Sequence, residues 1–287
     1  MTLEIVVKKT TTPSNTRGSD PYLLDEQDVT YGNKVLGKGS NGTVIGAIFR
    51  NMKIALKLSR SKGAAEKEKE IHQYITELQN ACIVQFIGFM LSEKEFVIAM
   101  EYMPKGSIDD FIINQEPLLW SQRLLWIKRI TEGLEFLHKH CIVHRDLKGG
   151  NIFLDKNCNP KIGDFGTATR LQKGFLYETI GSPLWMAPEI ILKKPYNEKV
   201  DIYSLAITIW QIVSWDLPSS EMSFMDFMKG SAVDERPELP NNLPAKLSSL
   251  ITWGWEKDPL ARPSAKELFA TIEANSEETI NTVEPRF

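Results

Sequence analysis

The segment His144-Arg145-Asp146-Leu147-Lys148-Gly149-Gly150-Asn151, HRDLKGGN in one-letter form, decides how the rest of the chain is read. It is the most specific stretch in the sequence. Downstream stand Asp164-Phe165-Gly166 and then Ala187-Pro188-Glu189. A lone DFG triplet arises by chance and carries little weight. Order along the chain gives such short segments their meaning, and the residues on the N-terminal side extend the series.

Upstream, Gly37-Lys38-Gly39-Ser40-Asn41-Gly42 supplies a GxGxxG pattern. A dinucleotide-binding fingerprint needs a helix to begin at the third glycine. Here Thr43 to Phe49 alternates as a strand, and another strand follows. Asn41-Gly42 is also a favoured hairpin pair. A hairpin is compatible with phosphate binding, because glycine lets the backbone come close and its amides can donate to phosphate oxygen. The next strand reads Ile54-Ala55-Leu56-Lys57. A lysine ending a strand is commonly a solvated edge charge, but one just after a glycine-rich hairpin can reach two phosphates. Such a cation needs a carboxylate to hold it. The segment AAEKEKEIHQY offers Glu66, Glu68 and Glu70. Ile71, Tyr74, Ile75 and Leu78 share one face at helical spacing. Glu70 adjoins that face and is the expected partner; Glu66 and Glu68 are expected to be solvated.

With the glycine loop, the strand lysine, HRDLKGGN, DFG and APE in order, the chain resembles a eukaryotic protein kinase catalytic domain over roughly residues 28 to 273. The resemblance implies a two-lobed α+β fold. Residues 26–103 would form a small antiparallel β lobe with one main helix, and 104–275 a larger, mainly helical lobe. Pro104-Lys105-Gly106 would be the hinge. It also implies ATP with Mg²⁺, Mn²⁺ being the alternative, and a protein substrate. Asp146 would orient the substrate hydroxyl and accept its proton. Lys148 would steady the transferring phosphate, and Lys57, fixed by Glu70, would hold the α- and β-phosphates. Asn151 and Asp164 would be the metal ligands. Adenine would lie beneath Val44 and Ala55 and above Phe153, where the family more often has leucine. The hinge backbone from Glu101 to Met103 would face its edge. Met100 would limit access behind it, and Ser107 or Asp110 would meet the ribose.

Other positions take structural roles by the same resemblance. His144 and Phe165 would stack in an internal spine, Glu189 and Arg262 would pair in the large lobe, and Asp201 would anchor the catalytic-loop backbone. Arg145 would meet a phosphate on the segment from Thr167 to Pro183, with Tyr177 and Thr179 the foremost acceptors. An upstream kinase or self-association would supply that phosphate. The glycines Gly149 and Gly150 would add flexibility. The stretch LQNAC departs from the family's usual pattern, with one residue added after Glu70.

EYMPKGSIDDF, PLWMAPE and WGWEKDP look like the tyrosine-kinase and tyrosine-kinase-like groups, whereas Lys148 and Gly181-Ser182 resemble the serine/threonine pattern. The combination points to the tyrosine-kinase-like group and to serine/threonine phosphorylation. Dual or tyrosine specificity is the alternative. A pseudokinase scaffold is disfavoured because Lys57, Asp146 and Asp164 are all retained.

Composition agrees. The 287 residues are 42% hydrophobic with a net charge of -3, enough for a sizeable core and without the basic excess of a nucleic-acid binder. DIYSLAITIWQIV is apolar nearly all round and reads as a buried helix. The apolar run from Ile202 to Trp215 is interrupted by Ser204, Thr208 and Gln211 and falls short of the ~20 residues a bilayer needs. The N-terminus MTLEIVVKKTTT lacks the features of a secretory signal. Cys82, Cys141 and Cys158 show neither metal nor disulfide spacing, which favours a reducing compartment. A cytoplasmic domain is expected, with residues 1–25 as a flexible leader and 276–287 as a loose tail.

Overall fold

β-branched and aromatic side chains crowd residues 42–58 and 86–100, and these runs become strands. A computed structural model of the protein describes residues 20–39, 42–91, 95–171, 174–218 and 234–274. Strands β1 (Val29–Gly39), β2 (Gly42–Phe49), β3 (Met52–Ser59), β4 (Phe86–Leu91) and β5 (Phe96–Glu101) form one antiparallel sheet. Its order is β1-β2-β3-β5-β4. The period of two turns Ile54 and Leu56 to one face and Ala55 and Lys57 to the other. Ile54 and Leu56 pack in a cluster with Val29, Ala47, Met90, Val97 and Ala99.

Helix α1 (Lys62–Glu77) is capped by Ser61, whose hydroxyl accepts from the Ala64 amide. Its Ala65 packs with Phe86, Phe89, Phe96 and Ile98 of β4 and β5. The buried residues of α1 are Ala65, Glu68, His72, Ile75 and Thr76. This stripe differs from the expected apolar one: Leu78 is exposed, and Ile71 and Tyr74 are only partly covered. Polar side chains take the inner face because each finds a partner there. Thr76 Oγ1 accepts from the Phe86 amide at 2.9 Å, and His72 Nε2 lies 2.7 Å from the Val84 carbonyl.

The sheet ends at Glu101, and helices dominate from Ile108 onward. Among the described residues they are α2 (Ile108–Ile113), α3 (Trp120–Lys139), α4 (Pro188–Ile191), α5 (Lys199–Ser214), α6 (Ala245–Gly254) and α7 (Ala265–Ala274). Two short ribbons join them: β6 (Ile142–Val143) with β9 (Thr169–Arg170), and β7 (Ile152–Leu154) with β8 (Pro160–Ile162). Every residue of α5 from Val200 to Val213 is buried. Its polar members are bonded: the Ser204 hydroxyl donates to the Trp185 carbonyl at 2.7 Å and Thr208 to Ser204 at 2.8 Å. The two-lobed α+β architecture anticipated from the sequence is the one that forms.

One sequence expectation needs correction here, and another gains a steric reason. Residues 20–25 of the expected leader are bound to the small lobe, Leu23 bridging to Phe89 of β4; residues 1–19 and the expected tail lie outside the described residues. Gly149 and Gly150 have a steric reason to be glycine. A β-carbon on either would meet the carboxylate of Asp109, at 2.2 Å and 2.8 Å.

Candidate functional site

Lys57, buried on β3, stands at the centre of an ion cluster. Its ammonium donates to both oxygens of Glu68, at 2.7 and 2.8 Å, and to Asp164 Oδ1 at 2.7 Å. Glu68, not Glu70, is therefore the lysine's partner; Glu70 is exposed on the outer face of α1. Helix geometry explains the error. Glu68 lies three residues after buried Ala65 and four before His72, which puts all three on one face. Burial alone would lower the Lys57 pKa, but Glu68 and Asp164 outweigh it and hold the ammonium above its ordinary value. Burial likewise opposes the Asp164 charge, and the adjacent Lys57 more than offsets it, keeping this carboxyl below the usual range. Glu68 is the most enclosed of the three, and burial raises its pKa despite Lys57.

Asp146 sits on the loop between β6 and β7. Its Oδ2 accepts from Asn151 Nδ2 at 3.0 Å and faces Lys148 Nζ at 3.4 Å. Its Oδ1 is buried and, among the described residues, has no hydrogen-bond partner. An orphaned carboxylate oxygen carries a desolvation cost, which a donor such as a hydroxyl would relieve. Lys148 Nζ also donates to Ser182 Oγ at 2.5 Å, tying the loop to the segment after DFG.

The loop is held from below. The carboxylate of Asp201, on α5, accepts from the His144 and Arg145 amides, both at 2.8 Å. Burial opposes its ionisation, while His138 and these donors hold the pKa below the usual value. Ring contacts run Phe86–His72–Phe165–His144, with centroids 5.6, 4.9 and 5.4 Å apart. The His144–Phe165 stack is the expected one; His72 and Phe86 extend it to α1 and β4. Arg262 donates to both Glu189 oxygens at 2.7 and 2.8 Å, as the resemblance implied.

The remaining expected site residues lie on β1 to β3, at the end of β5 and in the segment and helix after it, and on β7. Ala55 is buried and pairs with Met100 across the β3–β5 ladder, and Val44 pairs with Lys57. Phe153, in β7, packs against Gly163. Glu101 turns its carboxylate to Lys161 of β8, at 2.7 and 2.9 Å, an ion pair the sequence did not announce. The Met103 carbonyl accepts from the Gly106 amide at 3.3 Å. Ser107 and Asp110 are committed to each other as the capping box of α2, rather than turned out for a ribose. Gly37 and Gly39 face open space, whereas a β-carbon on Gly42 would meet the Leu58 carbonyl at 2.2 Å, at φ +147°. Gly37, Lys38 and Gly39 end β1, and Ser40 and Asn41 lie outside the described residues.

A family model described as the protein kinase domain matches residues 31–271. The chain belongs to the protein kinase family. Among its relatives are the serine/threonine-protein kinases STY46 and STY17 of Arabidopsis thaliana, each 30% identical over 94% and 90% of this chain. The dual specificity protein kinase shkB of Dictyostelium discoideum is 29% identical over 90% of it. The chain spans 48%, 46% and 43% of these relatives, about half of each or less. No helix among the described residues is long and apolar enough to cross a membrane.

A protein kinase works with ATP and a divalent metal ion, and two donors here fit a hard cation. Asp164 is held ionised. The Asn151 amide nitrogen is spent on the Asp146 carbonyl and carboxylate, at 2.7 and 3.0 Å, which turns its oxygen to the other side. No three His, Cys, Asp or Glu cluster as a metal site among the described residues. Such a pair would leave the rest of the ion's shell to nucleotide phosphates and water.

In this protein kinase the segment after DFG is ordered by the catalytic loop. Arg145 Nε donates to the Thr167 carbonyl at 2.7 Å, and Nη1 to Glu178 Oε2 at 2.5 Å. Thr167 Oγ1 donates to the His144 carbonyl at 2.9 Å. Gly181, at φ +118°, passes so close that a β-carbon would meet the Arg145 carbonyl at 2.6 Å. Tyr177 and Thr179 are exposed. The Glu178 contact had no signal in the sequence, nor did the link from Asp109 through Gln211, at 3.1 Å, to Trp185, at 2.7 Å.

Proposed function

We propose that this domain transfers the γ-phosphate of ATP to serine and threonine hydroxyls of protein substrates. The observations that carry the reading are the convergence of Lys57, Glu68 and Asp164 and the unpartnered Asp146 Oδ1. Phosphoryl transfer needs little covalent chemistry from the protein; positioning and charge stabilisation do most of it. Asp146 takes the substrate hydroxyl on Oδ1, orients it and receives its proton. Lys148, anchored by Ser182, lies 3.4 Å from the other carboxylate oxygen, Oδ2, and steadies the charge passing between the reactants. Lys57 binds the inner phosphates, and Glu68 keeps it extended. Asn151 and Asp164 would hold the metal, and Mg²⁺ suits two oxygen donors plus phosphates and water. Once bound, that ion offsets phosphate charge.

Adenine enters between Val44 and Ala55 on one side and Phe153 on the other, with the backbone of Glu101 to Met103 at its edge. Gly37 to Gly42 closes over the phosphates. Residues 26–103 and 104–275 act together as the catalytic unit. Serine/threonine preference is supported by the Lys148–Ser182 contact and by the names of the Arabidopsis relatives. The shkB relative supports dual specificity as the second reading.

Transfer of labelled γ-phosphate to a peptide library, compared with Asp146→Asn, tests the reading. Label on serine and threonine, abolished by the substitution, is the expected result. Label on tyrosine alone would refute the specificity, and no difference between the two proteins would refute the catalytic assignment.

A further inference from the structure

β4 is an edge strand, and edges expose unpaired backbone groups. Residues 20–24 cover part of this one. The Leu24 amide donates to the Phe89 carbonyl and the Phe89 amide to the Tyr22 carbonyl, both at 2.9 Å. The contact depends on Gly88: a β-carbon there would meet the Tyr22 carbonyl at 2.5 Å and Leu24 Cδ2 at 2.7 Å.

The same residues also grip α1. Asp20 Oδ2 accepts from Lys69 Nζ at 2.9 Å, and Lys69 in turn lies over the Phe89 ring, 4.1 Å from its centroid. Burial and the nearby Glu77 carboxylate raise the Tyr22 pKa, and the Tyr22 ring stands 5.5 Å from Phe86. Tyr22 thereby joins the cluster through which α1 packs on β4 and β5. Residues 20–24 are thus fastened to α1 through Lys69 and to β4 through Phe89, with the Tyr22 ring packed where helix and sheet meet.

Lys69 directly follows Glu68. A buried carboxylate is costly to enclose and gains by swinging out to water unless its helix is restrained. We propose that Asp20 and Tyr22 are positioning residues: the strap from Asp20 to Leu24 holds α1 in the orientation that keeps Glu68 on Lys57. The strap lies outside the segment matched by the family model, which begins at residue 31. The inference rests on the kinase reading for its effect on turnover, but not for its effect on α1.

Charge exchange tests it in the full chain. Asp20→Lys and Lys69→Glu are each expected to lower kcat about fivefold, as an ion pair of this exposure allows, leaving the KM for ATP within about twofold. The double exchange is expected to restore most of the loss. Gly88→Ala, which pushes the strap off sterically, should behave like Asp20→Lys. Hydrogen exchange supplies a readout independent of activity: α1 amides should exchange about tenfold faster in the single variants, with α5 unchanged. A merely structural contact would lower the melting temperature and leave kcat and α1 exchange alone at temperatures well below melting. That result, or failure of the double exchange to recover, overturns the inference. If the wild-type chain transfers no phosphate, the kinase reading fails while the exchange data still judge the strap.

Discussion

Arg145 and Glu178 form an ion pair at 2.5 Å in which the guanidinium is buried and the carboxylate is two-thirds exposed. The resemblance to kinases assigns Arg145 a phosphate on this segment. Here an ordinary carboxylate fills that place beside Tyr177 and Thr179. Glu178→Ala is therefore expected to lower kcat about tenfold, a loss the size of one charged hydrogen bond. Tyr177→Phe and Thr179→Ala should stay near wild type, as should phosphatase-treated protein. Loss of activity on phosphatase treatment, recovered with phosphate at either hydroxyl, would rule out Glu178 as the ordering group.

The choice between Glu68 and Glu70 is sharp enough to measure. Glu68→Gln keeps the shape but removes the charge that fixes Lys57. Removing a preorganised charge beside the reacting groups commonly costs ~3 kcal/mol, about a hundredfold in kcat. Glu70→Gln touches only solvent and should leave kcat unchanged. Steady-state kinetics of the two variants side by side decides the matter, and equal losses would return Glu70 to the site.

That error marks where sequence reading stops. Strands β2 to β5 were legible because their apolar alternation is local, and HRDLKGGN, DFG and APE because their order is improbable by chance. Helix α1 was placed within two residues at its start, yet its inner face was misjudged. Apolar spacing registers Ile71, Tyr74, Ile75 and Leu78, of which Ile75 alone is fully buried, whereas Glu68, His72 and Thr76 are buried through partners on β3, β4 and the segment before β4. Those partners are distant in sequence, so no local pattern announces them. The same holds for Glu178, which looks like any loop glutamate, and for residues 20–24, whose docking depends on the missing β-carbon of Gly88.

Arg262 and Glu189 carry a different expectation. Both are nearly inaccessible and meet through two bonds. Arg262→Met leaves Glu189 charged and enclosed without a partner, at a cost of roughly 3–5 kcal/mol. The double variant with Glu189→Leu should recover most of that loss in urea unfolding. Recovery of less than half would show that Arg262 matters mainly through its bonds to the Glu256, Lys257 and Lys199 carbonyls.

The paired glycines of the catalytic loop make a steric prediction. Asp109 occupies the space a side chain at 149 would need, 2.2 Å from the missing β-carbon. Gly149→Ala must displace Asp109 or the loop, and overpacking of this kind costs ~1–3 kcal/mol. Lower kcat and lower stability are expected together. Adding Asp109→Ala vacates the space and should restore stability to the level of Asp109→Ala alone. Thermal unfolding of the four proteins forms the cycle, and additive losses would mean that the glycines answer some other demand.

His72 makes the fold sensitive to acid. Burial depresses its pKa to about 4, with nearby Lys57 adding to the effect and the Val84 carbonyl opposing it. In the unfolded chain the ring titrates at its ordinary 6.5. The unfolded state therefore binds the proton first, so stability is full above pH 6.5 and falls as pH drops toward 4. Between pH 7 and pH 5 this one residue should cost about 2 kcal/mol of unfolding free energy. His72→Gln keeps a donor for Val84 but cannot titrate in this range. It forgoes the ring packing with Phe86 and Phe165, so it starts less stable. Its urea midpoint should nevertheless fall less steeply between pH 7 and 5 than that of the wild type, by the share that His72 contributes. Parallel slopes for the two proteins would mean that the ring takes up its proton over the same pH range in the folded and unfolded states.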